Sequence, residues 1–315
     1  MGRRGVLLAG LLTGLLSGCD LFAPERFEPP PPPPRPAPEI PPRSPESLAL
    51  ERYYTKVEAS LLSQEFLRTD RGGVDAPWDA DDLTRNFIQI ATFDEYDALG
   101  EVIIKQETAS QIRRWEMPVR VALEFGETVS PVKRLEDTDA VRRLTGRLAT
   151  ATGHPISFVS GPGNFTVFVV NQDELRALGP RLLELLPRLT EGEVQAITTL
   201  PRTTYCAVLA TAPVNTGTYN GAVAVVRGEH PDMLRLSCLH EEIAQGLGLA
   251  NDSPAARPSI FNDSEEFALL TEQDEAMLTI LYDDRLRPGM TAAQAAPIVE
   301  KIAAEITGEP SRGPS

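Results

Sequence analysis

The chain has 315 residues, 42% of them hydrophobic, and its formal net charge is −15. This length and composition suffice for one large globular domain or two small ones. The acidic balance, with no basic stripe and no stacking aromatic residues, argues against a nucleic-acid partner and mainly indicates solubility.

The first 18 residues have the features of a secretion signal. Two arginines precede an apolar run, 6–16, that is too short to span a bilayer as a helix. The run ends in Leu-Ser-Gly-Cys, which resembles the lipobox of bacterial lipoproteins and predicts a lipidated Cys19. We therefore expect a lipid anchor in the membrane and a folded part on the periplasmic side of the cell envelope. Asp20 favours the inner membrane.

Residues 19–46 are predicted to form a proline-rich tether. Twelve of residues 24–45 are proline, and 29–34 are an unbroken run. A polyproline II helix rises ~3.1 Å per residue, so the tether would reach ~60–70 Å. We expect it to hold the folded part away from the membrane surface.

Residues 47–117 are predicted to form a small helical N-terminal subdomain with a structural role. Apolar residues at helical spacing predict a helix over 47–66. Two acidic residues, Asp81 and Asp82, are typical of the start of a second helix. The segment 102–112 is compatible with either a strand or a helix.

Strands and helices then alternate over 118–307, and residues 308–315 read as a disordered tail. Short apolar or alternating runs predict the strands, and three- and four-residue spacing predicts the helices. In chain order we predict strand 119–125, helix 132–152, strands 156–159 and 165–170, helices 175–189 and 191–199, and strands 204–210 and 222–226. The helix 132–152 is expected to bury Val132, Leu135, Val141, Leu144 and Leu148.

The most informative stretch is 238–252, a further predicted helix and the loop after it. Glu241 and Gln245 are four residues apart and therefore project from one side of the helix. Gly248 is a position where the helix can stop in a left-handed conformation and turn the chain back. Asn251 and Asp252 would then return toward Glu241 and Gln245.

This layout resembles the site of metzincins, whose motif H-E-x-x-H-x-x-G-x-x-H carries two helical His ligands four residues apart. The Glu and the Gly of the motif are kept, whereas oxygen-bearing side chains replace all three His. In motif order, the first His falls on Glu241, the base Glu on Glu242, the second His on Gln245, the Gly on Gly248 and the third His on Asn251.

The residues that follow extend the resemblance. Phe261 stands where a metzincin has its Met-turn methionine, and the next helix ends in Leu281-Tyr282. The chain also resembles, over roughly residues 64–290, an uncharacterised family of bacterial lipoproteins with the signature Glu-Glu-x-x-Gln-x-Leu-Gly-Leu-x-Asn-Asp. No activity comes with that family.

The resemblance implies an α+β fold. We expect a zincin-like (metzincin-like) lobe over 118–307, with a mixed sheet and an active-site helix, preceded by the small helical region. In that fold the strand 204–210 would be the edge of the sheet that lines the cleft. Gly248, Phe261 and Tyr282 would be structural residues.

The three histidines are not expected to bind metal. His154 and His230 lie at predicted loop boundaries and read as surface or capping residues. His240 is not the first His of the motif, because Ala244 stands four residues after it; we expect it to contact Glu241 or the edge of the cleft.

Cys206 and Cys238 are predicted to form a disulfide. They are the two thiols left once Cys19 is lipidated, and the expected compartment is oxidising. The bridge would pin the predicted edge strand to the helix. Two buried free thiols are the alternative.

The donor atoms at the site separate the candidate functions. Zinc prefers nitrogen and sulfur, whereas Glu241, Gln245, Asn251 and Asp252 offer mainly oxygen, so we expect no zinc; a harder divalent cation would suit such a set. The favoured function is a pseudoenzyme, a membrane-anchored binding or scaffold protein with a peptide or envelope protein in its cleft. The alternative is an atypical metal-dependent peptidase or hydrolase with Glu242 as general base. A third is an unrelated α/β fold with these residues on its surface.

Overall fold

The structure is a computed structural model that describes residues 40–99, 102–214, 216–262 and 264–309. The predicted signal peptide, Cys19, most of the tether and nearly all of the tail lie outside the described residues. Within those ranges, no helix has the length and apolar character needed to cross a membrane.

From residue 119 to 227 the predicted strands and helices occur in the predicted order, except that the predicted helix 175–189 is divided into two helices, 172–176 and 179–185. The short strands at 114–115 and 218–219 were not predicted. The helices are α1 (Pro45–Ser63), α2 (Ala80–Ala91), α3 (Pro131–Thr152), α4 (Gln172–Arg176), α5 (Gly179–Leu185), α6 (Glu191–Thr198), α7 (Asp232–Gln245), α8 (Glu272–Leu281) and α9 (Ala292–Thr307). The strands are β1 (Phe93–Leu99), β2 (Val102–Ala109), β3 (Arg114–Trp115), β4 (Val119–Phe125), β5 (Ile156–Val159), β6 (Phe165–Val170), β7 (Cys206–Thr211), β8 (Thr218–Tyr219) and β9 (Gly221–Arg227).

A five-stranded mixed sheet is the centre of the fold, in the order β5-β4-β6-β9-β7. The first four strands of this order are parallel, and β7 pairs antiparallel with β9, with Cys206 opposite Val226 and Thr211 opposite Gly221. The α+β class and the mixed sheet are therefore confirmed, and β7 lies at a sheet edge as predicted.

Both faces of the sheet are covered, which explains why β6 and β9 are apolar without alternation. Along β9, Ala224 and Val226 join the larger core, which includes residues of α3, α7 and α8. Val223 and Val225 point the other way and pack with Leu182 of α5 and with residues of α4 and α6. The segment α4–α6 therefore closes the second face of the sheet.

Helix α3 buries only some of the apolar residues that its sequence spacing predicts to face the core. Ser130 caps its first turn through a hydrogen bond from Lys133 N, and Gly153 ends it in a left-handed conformation. Val141, Leu144 and Leu148 are buried as expected. Val132 and Leu135 are 63% and 70% exposed, so that prediction was wrong. In the first turns of α3 it is Lys133 and Asp137 that face the rest of the fold, where they contact the His230 carbonyl and Arg235.

The segment before β4 contains a hairpin as well as helices. The ambiguous region 102–112 forms β2, which pairs antiparallel with β1. The N-cap of α2 is Asp79, whose side chain accepts from Asp82 N, so the two aspartates predicted as caps lie inside the first turn. Helix α1 packs on the rest of the fold: its Ser47 donates to Glu229 Oε1 at 2.7 Å.

Candidate functional site

Helix α7 and the loop after it hold most of the predicted site residues. Leu239 and Ile243 are fully buried and anchor the helix in the larger core. The helix ends at Gln245, and the chain reverses at Gly248, which has the predicted positive φ, +126°. A Cβ added at Gly248 would lie 2.1 Å from the Arg113 carbonyl oxygen, so this position needs glycine for space as well as for conformation.

The reversal brings Gln245 and Asp252 together. Gln245 Nε2 donates to Asp252 Oδ1 at 3.1 Å. Asn251, the position that matches the third His, uses its amide differently: Nδ2 donates to the Gln89 carbonyl at 3.1 Å, and its backbone N–H donates to the carbonyl of Ile90. The loop is thus tied both to α7 and to the end of α2.

The two glutamates of α7 have different surroundings. Glu241 is half-buried, and its Oε2 lies 3.9 Å from the sulfur of Cys206 on β7. That sulfur is oxidised and has no proton to donate, so the contact is not a hydrogen bond. Glu242, the position of the motif's general base, is only 3% exposed and lies inside the fold.

The disulfide between Cys206 and Cys238 is confirmed, with a Cα–Cα distance of 5.9 Å. It joins the edge strand β7 to the middle of α7. All six residues of β7 are half-exposed, and within the described part of the chain no strand other than β9 pairs with it. The disulfide therefore holds the edge strand β7 against α7, beside the carboxylate of Glu241.

Phe261 and Tyr282 support the site from the interior. Phe261 is fully buried, and its carbonyl accepts from Ser253 N at 2.8 Å. Tyr282 Oη donates to the Leu247 carbonyl at 3.0 Å, and burial raises the pKa of this phenol well above its usual value. Tyr282 thus fixes the chain between the end of α7 and Gly248.

The histidines lie in three different environments. His154 is half-exposed, and its Nε2 is 2.9 Å from the Met117 carbonyl oxygen. His240 faces the interior and its Nδ1 accepts from Leu270 N at 3.3 Å; burial lowers the pKa of His240 to about 3. The surface assignment of His230 was wrong, because this side chain is 0% exposed and the rings of Tyr54 and Tyr205 pack edge-on against it.

Two buried polar groups near the site were not predicted. Arg235 of α7 is 2% exposed and donates to both carboxylate oxygens of Asp137 on α3, at 2.8 and 3.0 Å. Asp274 is fully buried and accepts from Ser259 Oγ at 2.6 Å and from Thr271 Oγ1 at 2.9 Å, which holds the loop before α8. The spacing Thr271-x-x-Asp274 is a capping-box signal that the sequence does contain.

Comparison with protein families gives one match. A family model described as "Protein of unknown function (DUF2927)" matches residues 80–301, from the start of α2 into α9. No curated protein and no solved structure matches the chain significantly.

Proposed function

The chain belongs to the DUF2927 family, and from this premise we propose that it is a lipid-anchored binding protein of the bacterial cell envelope. We propose that an extended, positively charged peptide segment occupies a cleft formed by β7, Glu241 and Gln245. The observation that carries this proposal is the Cys206–Cys238 disulfide, because it fixes an open sheet edge beside the carboxylate of Glu241.

A zincin-like frame for the lobe is part of the proposal. The antiparallel strand β7 lies at the edge of an otherwise parallel sheet, which is where the zincin comparison requires the cleft-lining strand. Helix α7 follows β9 directly in the chain. The reversal at Gly248, with Asp252 returning to Gln245, provides the loop that would carry a third ligand in a metzincin.

The edge of β7 that pairs with no described strand suits an extended peptide. Such an edge offers backbone N–H and C=O groups that an added strand satisfies, with side-chain contacts giving specificity. The positive charge of the segment is inferred from charge complementarity: the chain carries −15, and Glu241 lies beside the edge.

The oxygen-rich donor set favours binding over zinc-dependent hydrolysis. Glu241, Gln245 and Asn251 carry carboxylate and amide groups at the three motif positions where a zinc peptidase needs imidazole. A metal-dependent hydrolase with Glu242 as general base is the second candidate, and the retained Glu at that motif position is the observation in its favour.

A peptide-binding experiment tests the proposal. The full chain with Cys19→Ser is screened against short peptides that alternate lysine with apolar residues, and affinities are then measured for Glu241→Lys and for the matched control Glu300→Lys on the exposed side of α9. We expect Glu241→Lys to weaken binding by ~10-fold or more, because it places like charges together. Glu300→Lys should bind like wild type.

Backbone methylation distinguishes strand addition from charge attraction alone. Two peptides are compared, one N-methylated at the odd-numbered residues and the other at the even-numbered residues. Only one of the two should lose binding, because only one set of peptide N–H groups faces β7. Equal affinity for both methylated peptides, or for wild type and Glu241→Lys, would contradict the proposed cleft. If mass spectrometry detects cleavage of the bound peptide, the result would favour the metal-dependent hydrolase.

A further inference from the structure

We propose that reduction of the disulfide converts Cys206 and Cys238 into ligands of a zinc site completed by Glu241 and His230. The site would exist only in the reduced protein, and it does not depend on a peptide bound at β7. It is also distinct from the oxygen-donor positions aligned with the metzincin motif, because it takes three of its four ligands from elsewhere.

Three of the four ligand atoms lie close together, and the fourth, His230 Nδ1, lies close to the Cys238 sulfur. The sulfurs of Cys206 and Cys238 and a carboxylate oxygen of Glu241 all lie within 4.8 Å of one another. Cys206 Sγ is 3.9 Å from Glu241 Oε2, and Cys238 Sγ is 3.9 Å from His230 Nδ1. In a tetrahedral site with Zn–S of ~2.3 Å and Zn–N or Zn–O of ~2.0–2.2 Å, neighbouring ligand atoms are ~3.4–3.8 Å apart. Each sulfur therefore has one further ligand near the required distance.

Only the reduced form of the protein can offer this site. A disulfide sulfur is a poor zinc ligand, whereas a thiolate is a strong one. A dithiol reductant gives two electrons and two protons to the Cys206–Cys238 bridge and becomes a disulfide itself. Zn²⁺ then replaces the two thiol protons, which pass to solvent.

His230 is suited to the fourth position. It is 0% exposed, and burial together with the charges of Arg227, Arg235 and Lys133 lowers its pKa well below the usual value. Its Nδ1 is the nitrogen that faces Cys238.

Access to the bridge comes from the cleft. Cys206 is half-exposed on the edge strand, whereas Cys238 is 2% exposed. A reductant therefore attacks the Cys206 sulfur and releases the Cys238 thiolate first. Zinc bound between them would keep β7 attached to α7 under reducing conditions, as the disulfide does under oxidising ones.

Zinc binding by the oxidised and reduced protein tests the proposal. The full chain with Cys19→Ser has only Cys206 and Cys238 as cysteines. Both forms are equilibrated with Zn²⁺ and freed of excess metal, and zinc is measured by elemental analysis. Co²⁺ substitution reports thiolate ligands by absorption, and circular dichroism reports folding. We expect stoichiometric zinc in the reduced form alone, with thiolate-to-cobalt absorption.

Three variants test which residues bind the zinc. Loss of even an outer-shell partner typically costs ~10–100-fold in metal affinity, so Glu241→Gln should weaken zinc binding by at least that much. The control Glu300→Gln should not change it, and Cys206→Ser with Cys238→Ser should abolish it. The proposal is overturned if the reduced protein binds no stoichiometric zinc, if the oxidised form binds equally well, or if Glu241→Gln leaves the affinity unchanged.

Discussion

Gln245 donates a hydrogen bond to Asp252 over 3.1 Å, which joins the last residue of α7 to a chain that has reversed direction at Gly248. Two residues that are seven positions apart in the sequence are therefore in direct contact in the folded protein. It places a carboxylate beside an amide at one end of the proposed cleft. The geometry of the turn is therefore the first feature to test.

Gly248→Ala is expected to destabilise the protein by ~1–3 kcal/mol, the range for a residue in a disfavoured backbone conformation. Its φ of +126° is strained for alanine, and the added Cβ would meet the Arg113 carbonyl. Urea denaturation measures the change. Gly146→Ala is the matched control: it lies inside α3 with open space around it and should stabilise by ~0.5–1 kcal/mol. Equal stability of Gly248→Ala and wild type would contradict the described turn.

Loss of the disulfide is expected to lower the free energy of unfolding. The two cysteines are 32 positions apart, for which the chain-entropy relation gives ~3–4 kcal/mol. The variant carrying both Cys206→Ser and Cys238→Ser should show this loss in denaturant titrations. Alkylation of the denatured, unreduced protein should find neither cysteine free. Modification of both would contradict the bridge.

The part of the fold that follows local patterns could be predicted from the sequence. Strands β4, β6 and β9 and helix α3 follow apolar runs or spacings that a chain segment carries by itself. The edge position of β7 followed from the resemblance of residues 241–251 to the metzincin motif. The disulfide followed from the number of cysteines and the expected compartment.

The remaining features depend on partners that are distant in the chain. Arg235 is buried because Asp137 of another helix pairs with it, and His230 is buried because Tyr54 of α1 covers it. Asn251 is buried because its amide donates to the Gln89 carbonyl of α2, which is also distant in the chain. A single sequence gives the residue types at these positions but does not show which distant segments meet, so burial of polar side chains was missed.

Acid should destabilise the protein through His240. The ordinary pKa of histidine is 6.5, and in the folded protein the pKa of His240 is about 3. Between these values the unfolded chain binds a proton that the folded chain does not, so stability falls as pH decreases from 6.5 toward 3. The slope for one such group is up to ~1.4 kcal/mol per pH unit.

His240→Asn isolates this contribution, because asparagine keeps an acceptor for Leu270 N and does not titrate. The dependence of the unfolding free energy on pH should become shallower between 6.5 and 3. His154→Asn, at a half-exposed position, should change the slope less. Identical slopes for wild type and His240→Asn would contradict the buried, neutral state of His240.

Cys19→Ser is expected to release the protein from membranes, because the lipid on Cys19 is the proposed anchor. Fractionation of cells that express the full chain, followed by immunodetection, measures the distribution. Asp20→Ser serves as the control, since it leaves the lipidated residue in place and should remain membrane-bound. Processed Cys19→Ser protein that sediments with membranes like wild type would rule out this anchor.

The central claim is that the cleft has zincin-like geometry whose ligand positions have lost their histidines. The most direct test is the zinc content of the oxidised wild type and of a variant with Glu241→His, Gln245→His and Asp252→His. The third histidine is placed at Asp252, which contacts Gln245, because the amide of the aligned Asn251 donates to the Gln89 carbonyl. We expect no stoichiometric zinc in the oxidised wild type and stoichiometric, tightly bound zinc in the folded variant. Stoichiometric zinc in the oxidised wild type that is lost on Glu241→Ala, or a folded triple variant without zinc, would contradict the claim.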